Sequence, residues 1–112
     1  MGGRAGAASG AVRRVSRRLV LRPEAQDEIT EAAAWYEVRA PGLAAEFLRA
    51  LDATVASILR NPFLHPMVHQ EKRRALLRRF PYGLIYVVSD DEVIVLGCVH
   101  THRHPDRWQY RR

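Results

Sequence analysis

Leu19-Val20-Leu21 is a short apolar run that stops just before Pro23, and behind it the apolar positions recur at helical spacing. Pro23 suits the first turn of a helix, where its missing N–H would have no partner anyway. Glu24, Asp27 and Glu28 put negative charge in the first turns, where the helix dipole favours it. Ala25, Ile29, Ala32, Ala33 and Tyr36 then predict a helix over residues 23–39. Pro41-Gly42 breaks it, and Ala44, Phe47, Leu48, Leu51, Val55, Ile58 and Leu59 trace one stripe of a second helix that ends before Asn61-Pro62. A connection this tight predicts an antiparallel helical hairpin.

After the turn-rich residues 61–66, β-rich runs are expected at roughly Ala75–Phe80, Tyr82–Ser89 and Glu92–His100, with Asp90-Asp91 short enough to close an antiparallel hairpin. The predicted fold is α+β: an N-terminal strand, an antiparallel helical hairpin, and a three-stranded antiparallel meander packed on it, in the order β-α-α-β-β-β. Both alternating sets of the last two strands are apolar: Tyr82, Leu84, Tyr86 and Val88 against Ile85 and Val87, then Val93, Val95 and Val99 against Ile94, Leu96 and Cys98. One hairpin covers one face. The other is expected to stay open for a protein partner unless a terminal segment folds over it.

Composition changes this picture at the N-terminus. Residues 1–22 carry +6, residues 23–60 carry −4 and residues 61–112 carry +4, and 17 of the 18 basic residues are Arg. Residues 1–17 have no periodic apolar face and cannot offset the entropy of ordering, so a basic, disordered extension is expected there, followed by a single domain over 18–112. An Arg-rich, acid-free start also resembles a transit peptide, and an over-extended start codon explains it equally well. Cys98 is the only cysteine, which excludes an intramolecular disulfide and fits a reducing cytosol. No apolar run approaches the length that spans a bilayer, so a cytoplasmic location without membrane contact is expected.

The densest chemistry lies at the end of the last strand, in His100-Thr101-His102-Arg103-His104-Pro105-Asp106-Arg107-Trp108. On a continuing strand the three histidines would share a face and could hold a transition metal, but Pro105 argues against continuation, and the favoured reading has no metal and no cofactor. Arg74, Arg78 and Arg79, with Lys72 and Arg73, form a second basic group. With Arg103, Arg107 and Trp108 they are expected to make a target- or phosphate-binding strip, against the plainer alternative of a solvated strand face. Cys98 lies inside an apolar run and reads as a core residue rather than a nucleophile.

Several fragments fall in a specific order: Leu21-Arg22-Pro23-Glu24-Ala25, Trp35-Tyr36, Asn61-Pro62, Arg79-Phe80-Pro81-Tyr82-Gly83-Leu84-Ile85-Tyr86 and His100-x-x-Arg103-His104-Pro105-x-x-Trp108. Over residues 18–110 the chain resembles the ParE/RelE superfamily, the toxins of bacterial type II toxin–antitoxin systems often labelled plasmid stabilisation proteins. The resemblance implies a cognate antitoxin that folds onto the toxin in a hetero-oligomer. The open sheet face, through Tyr82, Leu84, Tyr86 and Val95, is its expected seat. ParE-like members poison DNA gyrase, whereas RelE-like members cut mRNA on the ribosome.

RelE-like nucleases place a basic residue directly after the strand tyrosine, where this chain has Gly83. That departure favours the gyrase branch, in which the protein is not an enzyme. The nuclease alternative would rest on Arg103, at the matching end of the last strand, and on Tyr110, near the C-terminal tyrosine of such nucleases. A third reading is a non-toxic, basic nucleic-acid-binding module.

Overall fold

The computed structural model describes residues 17–112, and apart from Arg17 the expected basic extension lies outside the described residues. Strand β1 (Arg18–Leu21) leads through Arg22 into helix α1 (Pro23–Arg39), and helix α2 (Leu43–Arg60) follows a three-residue turn. Gly42 has φ +88°, a left-handed conformation that suits glycine, and offers no side chain to cap α2. Glu37, in the last turn of α1, does this instead: its carboxylate accepts the N–H groups of Gly42 and Ala44, each at 3.1 Å.

Four further strands complete one sheet: β2 (Met67–His69), β3 (Lys72–Leu76), β4 (Tyr82–Val88) and β5 (Glu92–His100). The spatial order is β1-β5-β4-β3-β2, with β1 parallel to β5 and every other neighbour antiparallel. The meander therefore has four strands where three were expected. The first expected strand, Ala75–Phe80, lies instead at Lys72–Leu76, and the chain from Leu77 to Pro81 is a loop. The Leu77 N–H bonds to the Tyr82 carbonyl at 2.9 Å, Arg79 turns the loop at φ +71°, and Leu77 and Phe80 are buried from it. Their apolarity mimics a strand while serving as loop anchors.

The hairpin packs on one face of the sheet. Phe47, Leu51 and Ile58 of α2 and Ala25 and Ala32 of α1 are buried against Leu84, Tyr86, Val93, Val95 and Cys98. Burying a side chain such as Phe47 contributes roughly 2–3 kcal/mol. The buried Tyr86 hydroxyl donates to the Pro62 carbonyl at 2.6 Å, so it enters the core with its polar atom satisfied. Arg73 donates to the carbonyls of Phe63 (3.2 Å) and His65 (2.7 Å), pinning the turn between α2 and β2.

This corrects the expected open face. Leu84, Tyr86 and Val95 are fully buried beneath the helices, and Tyr82 is half-buried beside Tyr36 and Phe47, so these four form core rather than an exposed docking surface. The opposite face carries Ile85, Leu96 and Val99, and Trp108 of the C-terminal tail lies on them at 5% exposure. Trp108 thus closes the second face and does not belong to a phosphate-binding strip. Lys72 is buried as well.

The tail is held by one ion pair. Arg111 meets Glu28 of α1 in a two-pronged arrangement, Nη1 to Oε1 at 2.8 Å and Nη2 to Oε2 at 3.0 Å, with both side chains about four-fifths buried. The same groups serve β5 where β1 has ended: Glu28 Oε1 accepts the Cys98 N–H at 3.0 Å, and Arg111 Nη1 donates to the Leu96 carbonyl at 3.1 Å. Gly97 sits between them because a Cβ there would stand 2.5 Å from Arg111 Nη1. Cys98, buried beside Glu28, has its thiol pushed up to about 12, first by burial and then by that carboxylate.

Two outcomes are expected. Trp108→Ala should lower the unfolding free energy by about 3 kcal/mol, read as a fall in the urea midpoint. The Cys98 thiol rises from 9.0 to about 12 on folding, so its contribution to stability is complete below 9.0 and is lost as pH climbs towards 12. Tyr86, raised from 10.0 to about 12 mainly by burial, acts with the same sign. Cys98→Ala should therefore flatten part of the alkaline fall in thermal stability, and native Cys98 should resist disulfide reagents at mildly alkaline pH. Fast modification of the folded protein would contradict the buried, neutral thiol.

Candidate functional site

A cleft of about 530 Å³ opens where α1, the ends of β4 and β5, and the tail meet. Its helical wall is a single face of α1, with Glu28, Glu31, Ala32, Trp35 and Tyr36 at spacings of three and four residues. Its floor is Pro81, Tyr82, Cys98 and Val99. The third wall is basic: His100, where β5 ends, and Arg103 and Arg107, brought back by the turn through the short 3₁₀ segment Pro105–Arg107.

The turn follows from local bonds. Thr101 N–H returns to the Pro81 carbonyl at 2.8 Å, and Arg103 N–H reaches the His100 carbonyl at 2.9 Å, so the chain leaves the sheet immediately after β5. His104 Nδ1 accepts the Asp106 N–H at 3.3 Å and opens the 3₁₀ segment, which delivers Trp108 to the second face. Among the described residues, no group of three or more His, Cys, Asp or Glu side chains is arranged to hold a metal ion.

The basic wall is made of hydrogen-bond donors. His100 Nδ1 accepts the His102 N–H at 3.1 Å, which leaves Nε2 carrying the proton of the neutral ring. The His100 ring stacks edge-on to Tyr82, 5.2 Å between centroids. Burial raises the Tyr82 hydroxyl, Cys98 adds to the rise, and the nearby Arg103 guanidinium opposes it, so near neutrality the phenol keeps its proton. Phenol, imidazole N–H and two guanidinium groups together suit an oxyanion. On the helical wall Trp35 is 51% exposed, with Arg39 stacked 3.6 Å from its ring centroid.

The structure divides the basic residues expected to act as one strip. Arg103 and Arg107 line the cleft. Arg78 and Arg79 border a separate depression with Arg49, and Arg79 is tied to Glu46 at 2.8 Å. Arg74 crosses the sheet over Gly83: a Cβ on Gly83 would stand 3.0 Å and 3.1 Å from Arg74 Cγ and Cδ. The stem of Arg74 thus crowds the space that a side chain after Tyr82 would need. Tyr110 is 82% exposed and does not line the cleft.

Sequence reasoning missed Trp35 as a wall residue and Glu28 and Arg111 as a clamp. The i, i+3, i+7 spacing of Glu28, Glu31 and Trp35 was the available signal for the helical wall. Nothing in the sequence pairs Glu28 with Arg111.

The comparisons with known proteins agree with this architecture. No functionally curated protein matches the chain significantly. A solved chain described as the chromosomal ParDE TA system from P. aeruginosa is similar in fold, with TM-score 0.68 at 17% identity over 77% of this chain and 97% of that one. The family model for the ParE toxin of the type II toxin–antitoxin system, parDE, matches residues 19–105. The chain belongs to the ParE toxin family of type II toxin–antitoxin systems.

Proposed function

We propose that this toxin acts in the cytosol by binding DNA gyrase, that a cognate antitoxin neutralises it, and that the cleft between α1 and the tail is its working surface. The donor-only basic wall carries this reading. Cleavage of RNA by its own 2′-hydroxyl needs a group that accepts that proton as well as cations on the transition state. Tyr82 and the two guanidinium groups of the wall are protonated donors, and His100 uses its one basic nitrogen on the His102 N–H. Such a wall suits binding and charge complementarity better than proton transfer. The stem of Arg74 over Gly83 supports the same view, because a side chain at the position that is basic in RelE-like nucleases would have to push Arg74 aside here.

One observation favours the second reading, ribosome-dependent mRNA cleavage. Arg103 lies close enough to Tyr82 to act on its hydroxyl, so a cation and a phenol do meet in the cleft. Tyr110 stands apart from them.

The test is inducible expression in a bacterial host, with and without the neighbouring antitoxin gene, following growth, DNA damage and translation in the same cultures. Growth arrest with DNA damage while translation continues is expected, relieved by the neighbour. Arg103→Ala should weaken the arrest at least about tenfold in inducer dose, the effect of losing one charged contact. Early translation arrest with cut transcripts would replace gyrase by mRNA. No arrest, together with salt-dependent nucleic-acid binding, would leave a non-toxic binding module.

A further inference from the structure

The cleft contains a break in the sheet's hydrogen bonding. β1 pairs with β5 only from Glu92 to Val95, the last bond running from Arg22 N–H to the Val95 carbonyl at 3.0 Å. Beyond it, β5 continues from Leu96 to His100 with no strand on that side among the described residues. A register shift against β4 occurs here: Tyr86 faces Val95 but Ile85 faces Gly97, so Leu96 is an extra residue. The shift reverses which residues of β5 direct their backbone groups outward. Gly97 and Val99 now turn towards β4, as does Thr101, whose N–H reaches Pro81, while Leu96, Cys98 and His100 turn towards the cleft.

Three of the groups facing that edge already have partners. The Leu96 carbonyl is taken by Arg111, the Cys98 N–H by Glu28 and the His100 carbonyl by the Arg103 N–H. On either side of Val99, the Cys98 carbonyl and the His100 N–H have no partner among the described residues. They face the same way. An antiparallel neighbour bonds to the N–H and the carbonyl of one and the same residue, and each such pair here has one member occupied. A parallel neighbour instead donates to the residue before and accepts from the residue after the one it faces. A parallel neighbour uses the open pair in full, whereas an antiparallel one, pairing with Cys98 and His100, would leave two of its own groups facing partners already taken.

We infer that the free edge of β5 takes one extended segment of the antitoxin, running parallel to β5 as β1 does, with one residue opposite Val99 bridging the Cys98 carbonyl and the His100 N–H. Successive side chains of an extended segment point to opposite sides. One side meets Ala32 and Trp35 on α1, the other Arg103 and Arg107 on the tail. The segment is therefore one that alternates apolar and acidic residues, with a carboxylate beside the donor wall. Main-chain bonds supply attachment and the two walls supply selectivity. Bound in this way, the segment covers the arginines assigned to the target, so neutralisation is occlusion of the same cleft. The identity of the partner rests on the toxin reading; the geometry of the edge does not.

The test uses the purified, isotope-labelled full chain and a capped hexapeptide alternating leucine and glutamate, followed by amide chemical shifts and hydrogen exchange. Saturable binding is expected, with slowed exchange at the His100 amide. The leucine–lysine counterpart and a fully N-methylated leucine–glutamate peptide should leave that amide unprotected. Arg103→Gln combined with Arg107→Gln should weaken binding roughly tenfold or more while the remaining amide shifts stay in place, as expected for lost charged hydrogen bonds. The inference is overturned if the lysine peptide binds as well, if binding leaves His100 exchanging freely, or if nothing binds. Protection of His100 that rises with protein concentration without peptide would mean that a second copy fills the edge, and would also overturn it. Growth arrest relieved by the antitoxin but with no protection at His100 sinks this edge and keeps the toxin. Protection without any arrest does the reverse.

Discussion

Where β1 gives way to α1, the interior strand β5 loses a neighbour, and the bidentate pair of Glu28 with Arg111 takes over two of the exposed backbone groups. A largely buried ion pair on its own is weak evidence of stability, because desolvation opposes the attraction. Here each partner also satisfies a main-chain group, so the pair replaces ladder bonds that the sheet would otherwise lack. It draws three distant parts of the chain to one point. Helix α1 is set against the edge of β5, the tail is drawn back across the sheet, and the loop between them is left carrying His100, Arg103 and Arg107 at the mouth of the cleft.

The tail solves a second problem with the same stroke. A sheet apolar on both faces and covered by one helical hairpin has a face to hide, and Trp108 hides it over Ile85, Leu96 and Val99. Anchoring by Arg111 and burial of Trp108 are therefore coupled: the clamp keeps the indole in place, and the indole brings the clamp within reach. The arginines between β5 and Trp108 are then held on a short, doubly anchored loop, which limits the entropy lost when they engage a partner.

The cleft is polarised as a consequence. Its basic wall comes from the end of β5 and the tail, its opposite wall from α1, and each is positioned by the clamp at one end. Gly83 and Gly97 mark two close approaches that make this possible, one beneath the stem of Arg74 and one beneath the guanidinium of Arg111. Neither glycine is needed for a turn. At Gly97 another side chain occupies the place of a Cβ, and at Gly83 the stem of Arg74 crowds it.

The local pattern of the sequence determined the elements set by neighbours in the chain. Pro23 and the acids behind it start α1, Pro41-Gly42 turns the hairpin, the stripe from Phe47 to Ile58 makes α2, and the apolar runs before and after Asp90-Asp91 make β4 and β5. These are decided by backbone geometry and periodicity within a few residues. The meander's first two strands were less legible, since Leu77 and Phe80 have the apolarity of a strand but bury themselves from a loop. Which face of the sheet lies under the helices, and hence that Leu84, Tyr86 and Val95 are core while Trp108 is a lid, was decided only in the tertiary structure, because both alternating sets are apolar and the pattern is symmetric between them. The clamp joins residues 83 positions apart, and the cleft joins α1 to the tail. No local period encodes such pairings, for they depend on where β1 ends beside β5 and which main-chain groups that leaves without a strand.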